Sequence, residues 1–499
     1  MKKFLFNILM IMTLVGGLAS CGGDDINTPT YSFLFAENPV MVGAAGGQAS
    51  AMIITDTDYT PVAMDSWITD VTKESAELIT FTVAANTQNS SRDGKIAFYI
   101  DGTDDVKELI IRQAAAASGL SANKSEINFT TQGGEETITI TAKSNWEIDS
   151  CPAWITTEKK NAAALVVSAG TNFEGKTLSG QIVLKTSTES LTIKVSQENN
   201  NSLFKNASTS MGRRFTYNCG DLVSRVVTDN SYKVTDGVEA LEIKYMSSHT
   251  GTELPYYVYI YEIDLNKDVT ILASCKNDDP TNIKKTDAET TGVQTLRNQF
   301  KALKDKRSTL TVYGGINGDF CYGEGSSVER NALLHGIMHK DGVCLKETFD
   351  GGDVCTAFAI MNDGKARIMK KSNYNSYKAS IKEAVGGRQI IMDSGVITTV
   401  KNGKQDPRTA IGVSADRSKV IMLIIDGRQS THSNGADYPE LGRMFKAMGA
   451  YNAINLDGGG SSTFALQSTS DATGFVTRNK PSDKSDRAIP NGLAIVSSK

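Results

Sequence analysis

The chain has 499 residues, a formal net charge of −4 at pH 7 and 22% charged residues. This length is typical of a protein with about three domains. The small net charge and the lack of any block of like charges give no electrostatic footprint for nucleic acid, so we expect no nucleic acid among the partners.

The first 30 residues carry the pattern of an export signal. Lys2 and Lys3 precede an apolar run, and Leu18-Ala-Ser before Cys21 is typical of a bacterial lipobox. We therefore predict a signal peptide over residues 1–20, a Cys21 that is lipidated and anchors the chain to a membrane, and a linker over residues 21–30. A plain secretory signal with a chance cysteine is the alternative. The acidic sequence after Cys21 resembles the leader of Bacteroides-type surface lipoproteins, which implies an exported lipoprotein of the outer membrane, on the cell surface.

The region from residue 31 to residue 199 is strand-like and repeated. Gly46-Gly47 recurs as Gly133-Gly134, and Trp67-Ile-Thr recurs as Trp154-Ile-Thr, in each case 87 residues later. This period predicts two tandem all-β sandwiches, over residues 31–115 and 119–199.

The second copy resembles the BACON domain, a family of small β-sandwiches on Bacteroidetes surface proteins. The resemblance rests on SNWEI at residues 144–148, PAWIT at residues 152–156 and VSQEN at residues 195–199. The first copy has DSWIT at residues 65–69 but no equivalent of SNW, and is the weaker match. The resemblance implies glycan binding. We favour a spacer role, because a tryptophan at a fixed position of a sandwich usually lies in the core.

Beyond residue 203 the apolar pattern alternates between helix and strand, which predicts an α/β (α+β) domain with a mixed sheet over residues 203–499. Apolar positions from 293 to 303 follow helical spacing and lead into a strand at residues 310–313. The apolar strands at 420–425 and 453–456 flank a second predicted helix, which starts near Pro439. Each of these two strands ends in an aspartate, and the carboxyl ends of such strands converge where ligands bind.

The sequence DGGGSS, from Asp457 to Ser462, combines a carboxylate, three glycines and two hydroxyls. A tight turn normally needs one glycine, and glycine costs about 0.5–1 kcal/mol relative to alanine in regular structure. A backbone without Cβ atoms exposes successive N–H groups to a phosphate or another oxyanion. We therefore predict a binding turn, formed by Gly458, Gly459, Gly460, Ser461 and Ser462.

Further polar residues lie in neighbouring predicted loops. Arginine binds phosphate through its planar fork, so three arginines beside acidic turns indicate a phosphate-bearing substrate. The residues are Asn317, Asp319, Arg408, Thr409, Arg428 and Arg487.

Two other kinds of site are disfavoured. His335 and His339 have HxxxH spacing but lack the glutamate of HExxH, and Gly336 favours a strand and a turn over a helix, so we expect no zinc site. The serines at 461 and 462 do not lie in the Gly-x-Ser-x-Gly pattern of a nucleophile elbow.

The carboxyl-terminal motifs together resemble the phosphodiester glycosidase family, which includes the enzyme that removes N-acetylglucosamine from a phosphodiester to expose mannose 6-phosphate. They are RTAIG at 408–412, DGR at 426–428, INLDGGGSS at 454–462 and NKP at 479–481 with the late arginine. The resemblance covers about residues 206–499. It implies a site lined by Asn317, Arg408, Asp426, Arg428, Asp457, Gly458, Gly459, Ser461 and Arg487. The loop after Asn317 departs from the family's Asn-x-x-Phe-Phe type of run.

We expect this region to hydrolyse the bond between a sugar C1 and a phosphodiester oxygen, on a glycan or glycan phosphate of the N-acetylglucosamine-1-phosphodiester type. An oxocarbenium-like transition state needs a fixed carboxylate near C1. Asp457 is the first candidate, and Asp426, Asp319 and Glu440 are the others. The arginines and the glycine backbone would hold the leaving phosphate, and no cofactor is required.

Two alternatives remain open at this stage. One is a metal-assisted phosphodiesterase with Asp426 and Asp457 as ligands of calcium or magnesium. The other is a glycan-binding lipoprotein without catalysis.

Overall fold

The protein is a multidomain, mostly β chain, with 51% of its residues in strands and 13% in helices. The predicted signal peptide, Cys21 and linker lie outside the residues that the structure describes. No helix among the described residues is long and apolar enough to cross a bilayer. The computed structural model describes residues 31–88, 90–115, 119–284, 291–322, 331–350, 352, 355–400 and 404–498.

Residues 33–113 form two four-stranded sheets around one apolar core, with Phe81 and Phe98 at its centre. The sheet orders are β1-β3-β6-β5 and β2-β8-β7-β4, and only the β2–β8 pair in these two described sheets is parallel. The strands are β1 (Phe33–Phe35), β2 (Val40–Val42), β3 (Gly47–Thr55), β4 (Tyr59–Ala63), β5 (Ile68–Ser75), β6 (Leu78–Val83), β7 (Arg92–Ile100) and β8 (Val106–Gln113).

Residues 120–197 form a second pair of four-stranded sheets around their own core. Trp146 is 1% exposed within this core and Trp154 packs against it, as expected for structural tryptophans. The sheet orders are β10-β16-β15-β12 and β13-β14-β11-β9. The strands are β9 (Leu120–Ala122), β10 (Glu126–Phe129), β11 (Gly134–Ala142), β12 (Glu147–Ser150), β13 (Ile155–Asn161), β14 (Ala164–Ala169), β15 (Leu178–Lys185) and β16 (Ser190–Gln197).

The sequence repeat is also a repeat of contacts. Gln113 and Gln197 each donate hydrogen bonds from the side-chain amide to three backbone carbonyl groups. Gly46 and Gly133 have φ angles of +68° and +80°, and a Cβ atom on either would lie 2.1 Å from a backbone carbonyl oxygen. The repeated glycine is therefore required by both conformation and space.

The described part of the carboxyl-terminal region contains three large sheets and two small ones. Its helices are α1 (Ser210–Cys219), α2 (Leu296–Lys306), α3 (Tyr374–Tyr377) and α4 (Tyr438–Ala447). The strands up to residue 346 are β17 (Arg225–Thr235), β18 (Val238–Ser247), β19 (Leu254–Asp264), β20 (Thr270–Cys275), β21 (Thr291–Gly292), β22 (Gln294–Thr295), β23 (Leu310–Asn317), β24 (Cys321–Tyr322), β25 (Asn331–Leu334), β26 (Met338–Lys340) and β27 (Val343–Lys346). The later strands are β28 (Thr356–Met361), β29 (Ala366–Lys370), β30 (Ile381–Gly387), β31 (Ile390–Asp393), β32 (Val396–Ile397), β33 (Arg408–Val413), β34 (Lys419–Ile425), β35 (Asn452–Leu456), β36 (Phe464–Gln467), β37 (Phe475–Thr477), β38 (Ala488–Ile489) and β39 (Asn491–Ser498).

The largest sheet has the order β17-β18-β19-β34-β33-β35-β31-β32. Helices α1 and α4 cover one of its faces through apolar residues such as Phe215 and Phe445. Its other face packs against the five-stranded sheet β20-β39-β23-β36-β37, with Ile411 and Ile316 in one common cluster. The third large sheet has the order β27-β26-β30-β28-β29.

The prediction of a mixed sheet is not met in the described part of this region, where every strand pair is antiparallel. The predicted strand–helix–strand unit is present as β34, α4 and β35. Strand β33 lies between β34 and β35 and pairs antiparallel with both. The two outer strands therefore run parallel without touching, and their carboxyl ends still reach the same edge of the sheet.

Candidate active site

Three predicted site segments meet at this sheet edge. Arg408, the first residue of β33, pairs with Ile425 at the end of β34, and Thr409 pairs with Leu456 at the end of β35. The aspartates that follow these strands, Asp426 and Asp457, are thus brought to either side of the start of β33. The antiparallel central strand supplies an arginine where its neighbours supply carboxylates.

Asn317 connects this edge to the five-stranded sheet. Its side chain is 1% exposed, and its Nδ2 donates to the backbone oxygen of Asp457 at 2.6 Å. Its Oδ1 accepts from Thr409 Oγ1 at 2.8 Å and from the Thr463 N–H at 3.0 Å. Thr409 also contacts Ser462 Oγ at 3.2 Å. Asn317, Thr409 and Ser462 therefore form internal bridges that hold the turn in place, and their predicted contact with a substrate stays a prediction.

Each of the three glycines of the turn makes room for a different neighbour. A Cβ atom on Gly458 would lie 2.7 Å from the Pro407 carbonyl oxygen. One on Gly459, whose φ is +62°, would lie 3.2 Å from a guanidinium nitrogen of Arg428. One on Gly460 would lie 2.2 Å from a guanidinium nitrogen of Arg487. The glycines are required mainly because two arginines pack against the turn.

The turn presents fewer free N–H groups than the sequence predicted. The N–H of Gly459 donates to Pro407 O at 2.9 Å, and those of Ser461 and Ser462 donate within the turn. Among the described residues, only Gly458 and Gly460 of the three glycines have an N–H without a partner.

The three arginines differ in access. Arg428 donates from Nε to Asp406 Oδ1 at 3.0 Å, and its side chain is 53% exposed. Arg487 pairs with Asp483 at 2.6 Å, reaches Ser461 Oγ at 3.3 Å and is 33% exposed. Arg408 is buried, donates to Ala436 O at 3.0 Å and faces the Tyr438 ring. Burial lowers the pKa of Arg408. Arg428 and Arg487 are therefore the two of these three arginines whose side chains are accessible to solvent.

Asp426 is an anchor in this structure. Its carboxylate is 1% exposed and accepts hydrogen bonds from Asn479 Nδ2 and the Lys480 N–H, both at 2.9 Å. It also lies 2.8 Å from His432 Nε2. With both oxygens engaged, Asp426 holds the NKP loop against the end of β34, and its predicted catalytic role stays a prediction.

Glu440 also has a structural position, in contrast to its place among the candidate carboxylates. It accepts from the Asp437 N–H at 2.9 Å while its own N–H donates to Asp437 Oδ1 at 3.0 Å, which is a capping box at the start of α4. Burial raises the pKa of the Glu440 carboxyl.

Asp319 is the buried acid of the site. Its carboxyl lies in a slot next to Gly336 and Gly386, where a Cβ atom on Gly386 would come within 2.5 Å of Oδ2. The Gly336 N–H donates to Oδ2 at 2.7 Å. Burial raises the pKa of Asp319 to about 7, and the charge of Asp457 contributes to the rise, while the Gly336 N–H and Lys346 oppose it. Two interacting carboxyl groups with different environments are typical of an acid and base pair.

Two residues beside Asp319 were missed or set aside by the sequence argument. Lys346 has a fully buried side chain that pairs with Asp350 at 2.7 Å, and its charge acts on Asp319. His335, considered only as a zinc ligand, is buried next to Gly336. The spacing of Lys346 and Asp350 was visible in the sequence, but nothing there linked this pair to Asp319. In the described residues no three or more His, Cys, Asp or Glu side chains are grouped so as to hold a metal ion.

Two parts of the chain match known protein families. Residues 311–496 match the phosphodiester glycosidase family. These residues carry a domain whose family acts as hydrolases on phosphodiester glycosyl bonds. The match starts at β23, although β17, β18 and β19 belong to the same sheet as β33 to β35 and so fold with the matched region.

A second family match lies in the amino-terminal half. Residues 60–114 match the BACON family, described as a putative binding domain. The match falls on the first repeat, which the sequence argument had ranked as the weaker of the two.

Individual relatives are distant. A curated prophage-derived uncharacterized protein of Bacillus subtilis, YomE, is 30% identical over 181 residues, which is 33% of this chain. The aligned part spans 26% of the length of that relative. The zebrafish N-acetylglucosamine-1-phosphodiester alpha-N-acetylglucosaminidase catalytic domain is 19% identical, with a TM-score of 0.38 over 55% of this chain and 88% of its own. A hypothetical protein from Synechocystis has 12% identity and a TM-score of 0.36 over 93% of this chain and 92% of its own.

Proposed function

We propose that the carboxyl-terminal region hydrolyses sugar-1-phosphodiesters in glycans, with N-acetylglucosamine-1-phosphodiester as the model substrate. The observation that carries the proposal is the position of Asp457, whose N–H donates to the Gly318 carbonyl next to the buried Asp319 at 3.0 Å, beside a glycine turn flanked by Arg428 and Arg487. The two carboxyl groups suit a positive charge that grows at C1, and the two arginines suit a departing phosphate.

Asp457 stabilises or captures the developing cation at C1. Asp319, whose pKa of about 7 leaves it partly protonated at neutral pH, gives its proton to the phosphate oxygen as the C1–O bond breaks and the electron pair leaves with the phosphate. The resulting Asp319 carboxylate then takes a proton from the water whose oxygen bonds to C1. The products are free sugar and a phosphomonoester, and the enzyme returns to its starting protonation state.

Arg428 and Arg487 hold the phosphate oxygens. Both are partly exposed, and both are oriented by an aspartate, Asp406 and Asp483 respectively. A guanidinium that is already fixed by a neighbour loses less conformational freedom when it binds a phosphate.

For the whole chain we propose an exported lipoprotein, anchored through Cys21 in the outer membrane at the cell surface. The paired sheets of residues 33–197 then act as a spacer between the membrane and the enzyme. The burial of Trp146 supports this role, because that ring is not available as a platform for sugar.

The test uses the purified full chain and a panel of sugar-1-phosphodiesters, with and without a chelator. Free sugar plus phosphomonoester is the expected product, and Asp457→Asn should abolish its formation. Glu440→Gln is the matched control, because it changes a buried carboxyl that caps α4 and should keep the wild-type rate. Release of sugar phosphate instead of free sugar, with activity lost on chelation, would support a metal-assisted phosphodiesterase. Sugar binding without any turnover would show that the protein binds glycans but does not hydrolyse them.

A further inference from the structure

A stack of three aromatic rings lies beside Asp319. The ring centroid of His335 is 3.7 Å from that of Tyr322 and 6.0 Å from that of Phe320. Phe320 directly follows Asp319 in the chain, and Gly336, which follows His335, donates its N–H to Asp319. The stack is therefore attached to the carboxyl slot from two sides.

His335 is buried without the contacts that burial normally brings. Its ring is 4% exposed, yet neither ring nitrogen has a hydrogen-bond partner among the described residues. Asp319 Oδ1 is in the same situation. Buried polar atoms are paired in the great majority of cases, so three unpaired ones in one neighbourhood indicate a surface that hydrogen bonds to a ligand.

The chemistry of this surface suits an uncharged polar ring. Burial, together with the charge of Arg388, lowers the pKa of His335 to about 4, so the imidazole is neutral at pH 7. A neutral imidazole has one donor and one acceptor, which matches hydroxyl and acetamide groups. Tyr322 is 51% exposed and offers a ring against which an apolar face can pack. An ionised phosphodiester, which only accepts hydrogen bonds, is better matched by the guanidinium donors of Arg428 and Arg487.

We propose that Phe320, His335 and Tyr322 form the subsite for the sugar ring, in which His335 hydrogen bonds to a hydroxyl or acetamide substituent. This inference rests on the proposed function for the placement of the phosphodiester. It divides the site into two parts, the aromatic stack for the pyranose and the two arginines for the phosphate.

Ligand binding to the aromatic stack and to the two arginines can be measured separately on the full-length protein. Free N-acetylglucosamine and inorganic phosphate are the two probes, and binding is followed by calorimetry for the wild type, His335→Phe and Arg428→Ala. His335→Phe keeps the ring stack and removes both nitrogens. It should weaken sugar binding about tenfold, the effect of losing one hydrogen bond, and leave phosphate binding unchanged. Arg428→Ala should show the reverse pattern, and His335→Asn should restore part of the sugar affinity.

Thermal unfolding separates a binding role from a structural one. Because the imidazole nitrogens are unpaired when buried, His335→Phe should not lower the unfolding temperature. A lower unfolding temperature with loss of both probes would overturn the inference in favour of a structural histidine. Unchanged sugar affinity in His335→Phe, or no sugar binding by the wild type, would also overturn it. Sugar binding that depends on His335 without hydrolysis of any phosphodiester would reject the proposed function and leave this inference standing.

Discussion

Gly460 lies so close to Arg487 that a Cβ atom on the glycine would be 2.2 Å from Nη2 of the arginine. The same Cβ atom would be equally close to Oδ1 of Asp483, the partner of that arginine. The third glycine of DGGGSS is therefore explained by an ion pair that packs on the turn, and not by the path of the chain.

Gly460→Ala should impair phosphate binding more than folding. Both groups that must move are ends of side chains, so we expect a stability loss of less than about 1 kcal/mol. The displaced guanidinium should raise KM for a phosphodiester about tenfold, the weight of one charged hydrogen bond. Steady-state kinetics measures KM, and urea unfolding measures the free energy of unfolding. Gly458→Ala is the comparison, because its Cβ would meet a backbone oxygen at 2.7 Å and should lower stability more. A wild-type KM in Gly460→Ala would contradict this account.

Asn317→Ala should lower stability by about 3 kcal/mol and abolish activity. The change removes the hydrogen bonds that Asn317 makes to the Asp457 carbonyl and to the Thr463 N–H, whereas the Thr409 hydroxyl keeps its contact with Ser462. Each lost hydrogen bond to a buried group costs about 1–3 kcal/mol. Thr409→Val, which removes a single hydroxyl of similar volume, should cost about 1 kcal/mol. Chemical unfolding measures both variants. Equal losses in the two would show that Asn317 is not the central bridge.

Asp319→Asn should be more stable than the wild type above pH 7 and equally stable near pH 4. Since the folded-state pKa of Asp319 is raised to about 7, the folded protein binds this proton more tightly than the unfolded chain does. The wild type therefore loses stability as pH rises from about 4 to about 7, by up to about 4 kcal/mol at about 1.4 kcal/mol per pKa unit. Unfolding free energies measured at several pH values test this. If the unfolding free energy depends on pH in the same way in the wild type and in Asp319→Asn, the proton is bound by a residue other than Asp319.

The rate should fall as pH rises above about 7. The mechanism needs the protonated form of Asp319, and this form is depleted above its pKa of about 7. The measurement is kcat/KM against pH for a sugar-1-phosphodiester. The alkaline limb should remain in Glu440→Gln, whose carboxyl is also buried but caps α4. Loss of the alkaline limb in Glu440→Gln would show that Glu440, and not Asp319, is the group that titrates.

Arg428→Ala should raise KM about tenfold with little change in kcat or stability. The ion pair with Asp406 involves a side chain that is 53% exposed, and such pairs contribute about 0–1 kcal/mol to folding. The difference in KM from the wild type should shrink at high salt, because exposed charges are screened. The KM of Arg428→Lys should lie between those of the wild type and Arg428→Ala, since an ammonium group keeps the charge but cannot form the planar fork of a guanidinium. An unchanged KM in Arg428→Ala would show that Arg428 does not bind the substrate.

Local signals predicted the elements that carry the arginine side of the site. Pro439 marks the start of α4, and the apolar runs before and after this helix are β34 and β35. Each strand ends at the residue before its aspartate, so the shared edge could be predicted from the sequence. The identity of β33 as the strand between them could not, because pairing order depends on contacts that sequence spacing does not encode.

The carboxyl side of the site was harder to predict. Asp319 follows β23 of the five-stranded sheet, whereas Asp457 follows β35 of the eight-stranded sheet, and only the packing of the two sheets joins them. The slot that holds the Asp319 carboxyl is bordered by Gly336 and Gly386, which lie on other strands and turns of the chain. The sequence also could not tell that Asp426 is an anchor, since its partners Asn479 and Lys480 lie more than 50 residues away.

The strand order separates two kinds of position at the site. Arg408 lies on β33, between β34 and β35, whereas Phe320, His335 and Tyr322 lie on other segments, which are joined to this edge through Asn317. Under the proposed function, substitutions in the aromatic segments would therefore change the preferred sugar and leave the phosphate contacts unaltered.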